Sequence, residues 1–162
     1  MRSISLTVLI VALFAFLSPF GNAQAATLGY TTVGAQTDSS DSNFINAIKF
    51  TMPNGTGAVT SMSVYIASPV SAAPNNQFQL AIYSDSAGSP GSLIASSQSG
   101  VITPNALNTA AVVANLSANA TYWLAYNTNG TASANNNFKL DGGTAGQYQW
   151  RAQAFGTWPV TF

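Results

Sequence analysis

After its first 25 positions the chain alternates apolar and polar residues in short stretches. In residues 61–67, Met62, Val64 and Ile66 fall on one side. In residues 77–83, Phe78, Leu80 and Ile82 do the same, leaving Gln77, Gln79 and Tyr83 opposite. Residues 121–128 set Tyr122, Leu124 and Tyr126 against Trp123, Ala125 and Asn127. Residues 147–155 set Tyr148, Trp150, Ala152 and Ala154 against Gln149, Arg151 and Gln153. A period of two marks a strand with one buried face. Weaker stretches of this kind lie at residues 28–33, 44–52, 93–99, 110–116 and 137–140. Turn formers separate them: Pro53-Asn54-Gly55, Pro74-Asn75-Asn76, Gly88-Ser89-Pro90-Gly91, Asn129-Gly130 and Gly142-Gly143. No window carries a sustained helical period. The pattern predicts an all-β protein, a single antiparallel β-sandwich of jelly-roll or Ig-like Greek-key type, with eight or nine strands. Tyr122 follows Leu116 by six residues across a turn, the spacing of a tyrosine corner, whose hydroxyl bonds upstream backbone; an ordinary core aromatic fits the same pattern.

The start of the chain follows a different pattern. Arg2 precedes a nearly continuous apolar run from Ile4 to Leu17, broken by Pro19 and Gly21 and followed by Ala23-Gln24-Ala25. This is the order of a secretory signal peptide. The run is shorter than the roughly 20 residues that span a bilayer. Residues 1–25 are therefore expected to be cleaved, leaving residues 26–162 as one secreted domain, extracellular or at the cell surface, with no membrane attachment after cleavage.

Composition removes most catalytic chemistries. The chain has four Lys or Arg and four acidic residues, all Asp, with no His and no Cys; charged residues make up 5%. Soluble domains usually carry about 25%. Without Cys there is no disulfide or thiolate, and without His no histidine base or Ser-His-Asp triad. Three cations in the mature region, Lys49, Lys139 and Arg151, exclude a phosphate-neutralising surface, so nucleic acid is not an expected partner. Four N-x-Ser/Thr sequons, at Asn54, Asn115, Asn119 and Asn129, are about what chance yields in so Asn- and Thr-rich a chain.

The segment Ala81-Ile82-Tyr83-Ser84-Asp85-Ser86-Ala87-Gly88-Ser89-Pro90-Gly91-Ser92-Leu93-Ile94-Ala95, with Asn119-Ala120-Thr121-Tyr122-Trp123-Leu124-Ala125-Tyr126 after it, resembles secreted bacterial β-sandwich modules of jelly-roll type. Such modules occur alone or appended to cell-surface and polysaccharide-active proteins. The resemblance covers residues 29–159 and implies a non-catalytic module. Such modules usually continue past Pro159 into another strand, which implies here either a truncated gene or a sheet edge near Phe162 left open for a partner strand.

The remaining side chains allow three kinds of site. The four Asp lie in turn-like contexts, where Asp accepts backbone N–H bonds; a glycosidase pair among them is the least favoured reading. Asp38 and Asp41 form the densest oxygen cluster and are the candidate metal ligands, with calcium as the one cofactor to consider; a plain solvated loop is the alternative. The third kind is a sheet face rich in aromatic and amide groups. Sugars are held by rings stacked on their C–H faces and by amides or Arg on their hydroxyls. Gln77, Gln79, Tyr83, Trp123, Asn127, Gln149, Arg151 and Gln153 are expected to supply that face; the alternative is plain polar cover of a sandwich with Trp123 and Trp150 both in the core. The expected function is a non-catalytic module binding carbohydrate or a cell-surface polymer. The alternative is a structural or adhesive subunit of a surface fibre or matrix. It would self-associate through an open sheet edge by strand exchange, with residues 26–37 as a candidate donor.

Overall fold

The computed structural model describes residues 27–162. The expected signal peptide, residues 1–25, and the start of the mature chain at Ala26 lie outside them. The described residues are all-β, with no helix. Ten strands follow in order: β1 Gln36–Thr37, β2 Phe44–Thr51, β3 Gly57–Ile66, β4 Gln77–Ser86, β5 Ser89–Ser96, β6 Gly100–Val101, β7 Ala106–Leu116, β8 Thr121–Thr128, β9 Lys139–Leu140 and β10 Tyr148–Ala152. The sequence pattern pointed to eight or nine. Three of the ten, β1, β6 and β9, have two residues each, too short for alternation to mark them.

The strands pair antiparallel throughout. One sheet has six strands in the order β10-β2-β8-β4-β5, with β6 continuing the β5 side of β4. β3 and β7 form a two-stranded sheet, and β1 pairs with β9. The main core lies between the six-stranded sheet and β3-β7. It takes Phe78, Leu80 and Ile82 from β4, Tyr122 and Tyr126 from β8, Ile66 from β3, and Val112 and Leu116 from β7. These are the alternating apolar positions, and burying each large side chain is worth about 1.5–3 kcal/mol. The Tyr122 hydroxyl accepts the Ser117 N–H at 2.9 Å, so the upstream bond of a tyrosine corner is present.

The six-stranded sheet is wider than its two-stranded partner, and this difference shapes the molecule. At the β10 end, β3-β7 does not reach, and residues 28–40 and 137–141 lie over that part of the inner face instead. Tyr148 and Trp150 were expected to face the core. They do lie on the inner side, but 39% and 61% exposed, because little covers an edge strand there. Trp150 packs edge-on against Phe44 at 5.6 Å.

The outer face of the six-stranded sheet is covered by the chain itself. Residues 153–162 leave β10 at one edge and cross to β5 at the other, forming a strap. The Asn127 side-chain amide donates to the Gln153 carbonyl at 3.2 Å, and the Tyr83 hydroxyl to the Pro159 carbonyl at 2.9 Å. Thr161 then pairs antiparallel with Ser92 on the free side of β5. Flanking bonds run from the Leu93 N–H to the Val160 carbonyl at 2.9 Å and from the Phe162 N–H to the Gly91 carbonyl at 3.0 Å. The edge expected to stand open near Phe162 is thus closed at Ser92 by the chain's own tail. Under the strap lies a second apolar cluster of Ile45, Ala47, Ala81, Tyr83, Trp123 and Ala125, with Trp158 and Phe162 packed on it.

Candidate binding cleft

The β10 end of the inner face carries an open cleft of about 210 Å³. Its walls come from three places in the chain. Tyr30 is held by an edge-on contact with Phe50 at 5.2 Å. Leu140 and Asp141 are brought in by the β1-β9 pair, where Gln36 faces Leu140. Gly34 makes that approach feasible: a Cβ there would collide with the Leu140 backbone. The Ala35 N–H donates to Asp141 Oδ1 at 2.9 Å and ties the two segments. Gln147 and Tyr148, at the start of β10, complete the lining with Ile48 and Asp38. Two exposed tyrosine rings, two carboxylates and an amide therefore surround one mostly apolar hollow.

A buried polar cluster stands behind it. Asp41 is 1% exposed. Its Oδ1 accepts from the Asn46 side-chain amide at 2.8 Å and its Oδ2 from the Phe138 N–H at 3.0 Å. The Tyr148 hydroxyl lies 2.6 Å from Asn46 Oδ1 and 2.9 Å from Asp38 Oδ2, its proton shared between two acceptors. Burial, and then the neighbouring Asp38 charge, push the Asp41 carboxyl up to about 8. The Asp41 carboxyl therefore keeps its proton at neutral pH. Burial and Asp38 also push the Tyr148 hydroxyl up.

This donor set is unlike a calcium site. Calcium needs six to eight oxygens facing inward, whereas both Asp41 oxygens face N–H groups. Among the described residues no group of three or more His, Cys, Asp or Glu is placed to hold a metal. Adding millimolar calcium is expected to leave the melting temperature unchanged within about 1 °C. A rise of several degrees would show that Asp38 and Asp41 rearrange around the ion.

The eight residues expected to form a sugar-binding face share one face of the sheet, as the alternation implied. Tyr83 opposes Trp123, Gln79 opposes Asn127, and Gln149 and Arg151 on β10 oppose Ala47 and Ile45. That face, however, is not an open surface. Tyr83, Trp123 and Asn127 are 0% exposed and Gln79 8%, and Gln77, Gln149, Arg151 and Gln153 are half-buried. The reason is the strap. Ala47, Ala125 and Ala81 oppose one another across β2, β8 and β4, making a trough of small side chains against which Trp158 and Phe162 pack. Tyr83 meets both rings edge-on, at 6.3 and 5.6 Å. Burial pushes its hydroxyl up to about 12. Arg151 lies over the Phe162 ring at 5.9 Å.

Trp123 is held as a core residue. Its indole N–H donates to Asp85 Oδ1 at 2.8 Å and Lys49 sits over the ring at 5.5 Å. The Gly88 N–H and then the Trp123 indole hold the Asp85 carboxyl below its usual range. Three buried atoms on this side have no hydrogen-bond partner: Gln79 Oε1, Asn127 Oδ1 and Trp158 Nε1.

The cleft residues were mostly hidden from the sequence. In the sequence Asp38 reads as a candidate metal ligand, Asp141 as a turn residue, Tyr148 as core, and Tyr30 only as part of a weak strand. The signal that links them is the Gly34–Leu140 approach, which no local pattern encodes. No protein-family model, curated protein or solved structure matches this chain.

Proposed function

We propose that this chain is a non-catalytic, secreted β-sandwich module of the bacterial cell surface that binds carbohydrate or a similar hydroxyl-rich polymer. The site is the cleft between Tyr30 and Tyr148. The observation that carries this reading is the grouping of two exposed tyrosine rings with Asp38, Asp141 and Gln147 around one open hollow. Rings of this kind stack on the C–H face of a sugar, and carboxylates and amides bond its hydroxyls. Tyr148 is well suited because its hydroxyl is already fixed by Asn46 and Asp38, so its ring is preorganised. The rim is uncharged apart from its carboxylates, which suits a neutral or amino-substituted sugar.

The test is retention of the purified mature protein on a panel of insoluble polysaccharides including cellulose, chitin, mannan and peptidoglycan. At least one is expected to retain it. Tyr30→Ala and Asp141→Asn are each expected to weaken that binding about tenfold or more while leaving the fold intact, since Tyr30 is exposed and an Asn at 141 keeps an oxygen to accept from the Ala35 N–H. Retention on none of the panel, or retention unchanged in both variants, would contradict the reading.

A further inference from the structure

We propose that residues 153–162 exchange between molecules, the tail of one copy seating Trp158 and Phe162 on the outer face of a second and pairing with its β5. The partner is a second copy of this chain because the seat and the tail that fits it both belong to it. The seat is the trough of Ala47, Ala81 and Ala125 beside Tyr83, with the free side of β5 next to it. Nothing in that seat depends on which molecule supplies the tail.

Three features make the tail releasable. It leaves from β10, an edge strand. It turns at Gly156, whose φ of +98° is open to glycine and strained for other residues; Gly156 and Thr157 are exposed. And lifting it lets water reach Gln79 Oε1, Asn127 Oδ1 and Trp158 Nε1, which have no partner when it is down. Orphaned buried polar atoms raise the energy of the closed form relative to the open one. An open chain at high concentration can then meet a neighbour's tail before its own returns. Charge does not oppose the encounter: residues 153–162 and β5 carry no charged side chain, and edges lacking charged gatekeepers are prone to pair. Copies joined this way would present two clefts to one polymer and bind it with avidity. The exchange itself is independent of what the cleft binds.

The chain has no cysteine, so introduced thiols report directly. Ser92 and Thr161 are both exposed and face each other between the two flanking backbone bonds. That is the close, non-hydrogen-bonded type of antiparallel pair, with Cα atoms about 4.5 Å apart, within reach of a disulfide. The double variant S92C/T161C, oxidised when dilute, is expected to close within one chain. Mixing full-length mature S92C with T161C at increasing concentration is expected to give mixed disulfide dimers. If the mixture gives only the dimers that each variant forms alone, at every concentration up to millimolar, exchange does not occur. If the double variant fails to close when dilute, the seat itself is wrong and the proposal falls with it.

Discussion

The melting temperature is expected to fall as the pH rises from 4 to 8. The cause is Asp41, pushed up to about 8 in the folded chain from its ordinary 3.8. Between those values the folded chain keeps a proton that the unfolded chain has released. Stability therefore decreases with pH across that window: the contribution is fully present below 3.8 and lost as the pH climbs to about 8. A gap this wide is worth on the order of several kcal/mol. Asp85 acts the other way, but its depressed carboxyl releases stability only as the pH drops below the usual carboxylate range. Thermal melts followed by circular dichroism at steps between pH 4 and 8 would show the slope. Asp41→Asn is expected to flatten it and to lower stability near pH 4.5 by about 1–3 kcal/mol, because an amide cannot accept from both Asn46 and Phe138. A flat profile in the unaltered protein would mean that Asp41 is solvated or paired with a cation.

Trp123→Ala is expected to cost about 3–5 kcal/mol, the range for emptying a buried aromatic site. Trp123 is 0% exposed, and its loss also removes the acceptor-bound indole from Asp85 and the ring beneath Lys49. Trp150→Ala, at the exposed edge strand, is expected to cost within about 1 kcal/mol. Urea unfolding of the two variants separates them. Equal, small losses would mean that the strap does not bury Trp123, and that the outer face is an open surface after all.

The contrast between those two tryptophans shows what the sequence could reveal. Alternation placed Trp123 and Trp150 on opposite sides of their strands, and the structure agrees. The same pattern assigned Trp150 to the core and Trp123 to a binding face, and here the exposures are reversed. Period two reports which side a residue is on. It does not report whether a second layer reaches that side. Phe78, Leu80 and Ile82 were read correctly because β4 sits centrally, beneath β3-β7. Tyr148 and Trp150 were not, because the partner sheet has only two strands. The strap was hidden for a related reason: residues 156–162 have no periodicity, and only the trough of Ala47, Ala81 and Ala125 hints at what covers it. Spacing groups Asp38 and Asp41 as an oxygen cluster, and in the fold the two carboxyls are neighbours. The Asp41–Asn46 bond is local, but the Tyr148 bonds to Asp38 and Asn46 span more than 100 residues.

The most direct test of the binding reading is chemical-shift mapping of the mature protein, titrated with an oligosaccharide of the polymer that retains it. Amide shifts are expected to concentrate at Tyr30, Asp38, Asp141, Gln147 and Tyr148, with those of Trp123, Trp158 and Phe162 unmoved. Shifts confined to Gln79, Trp123, Asn127 and the strap would place the site on the outer face and contradict the assignment to the cleft.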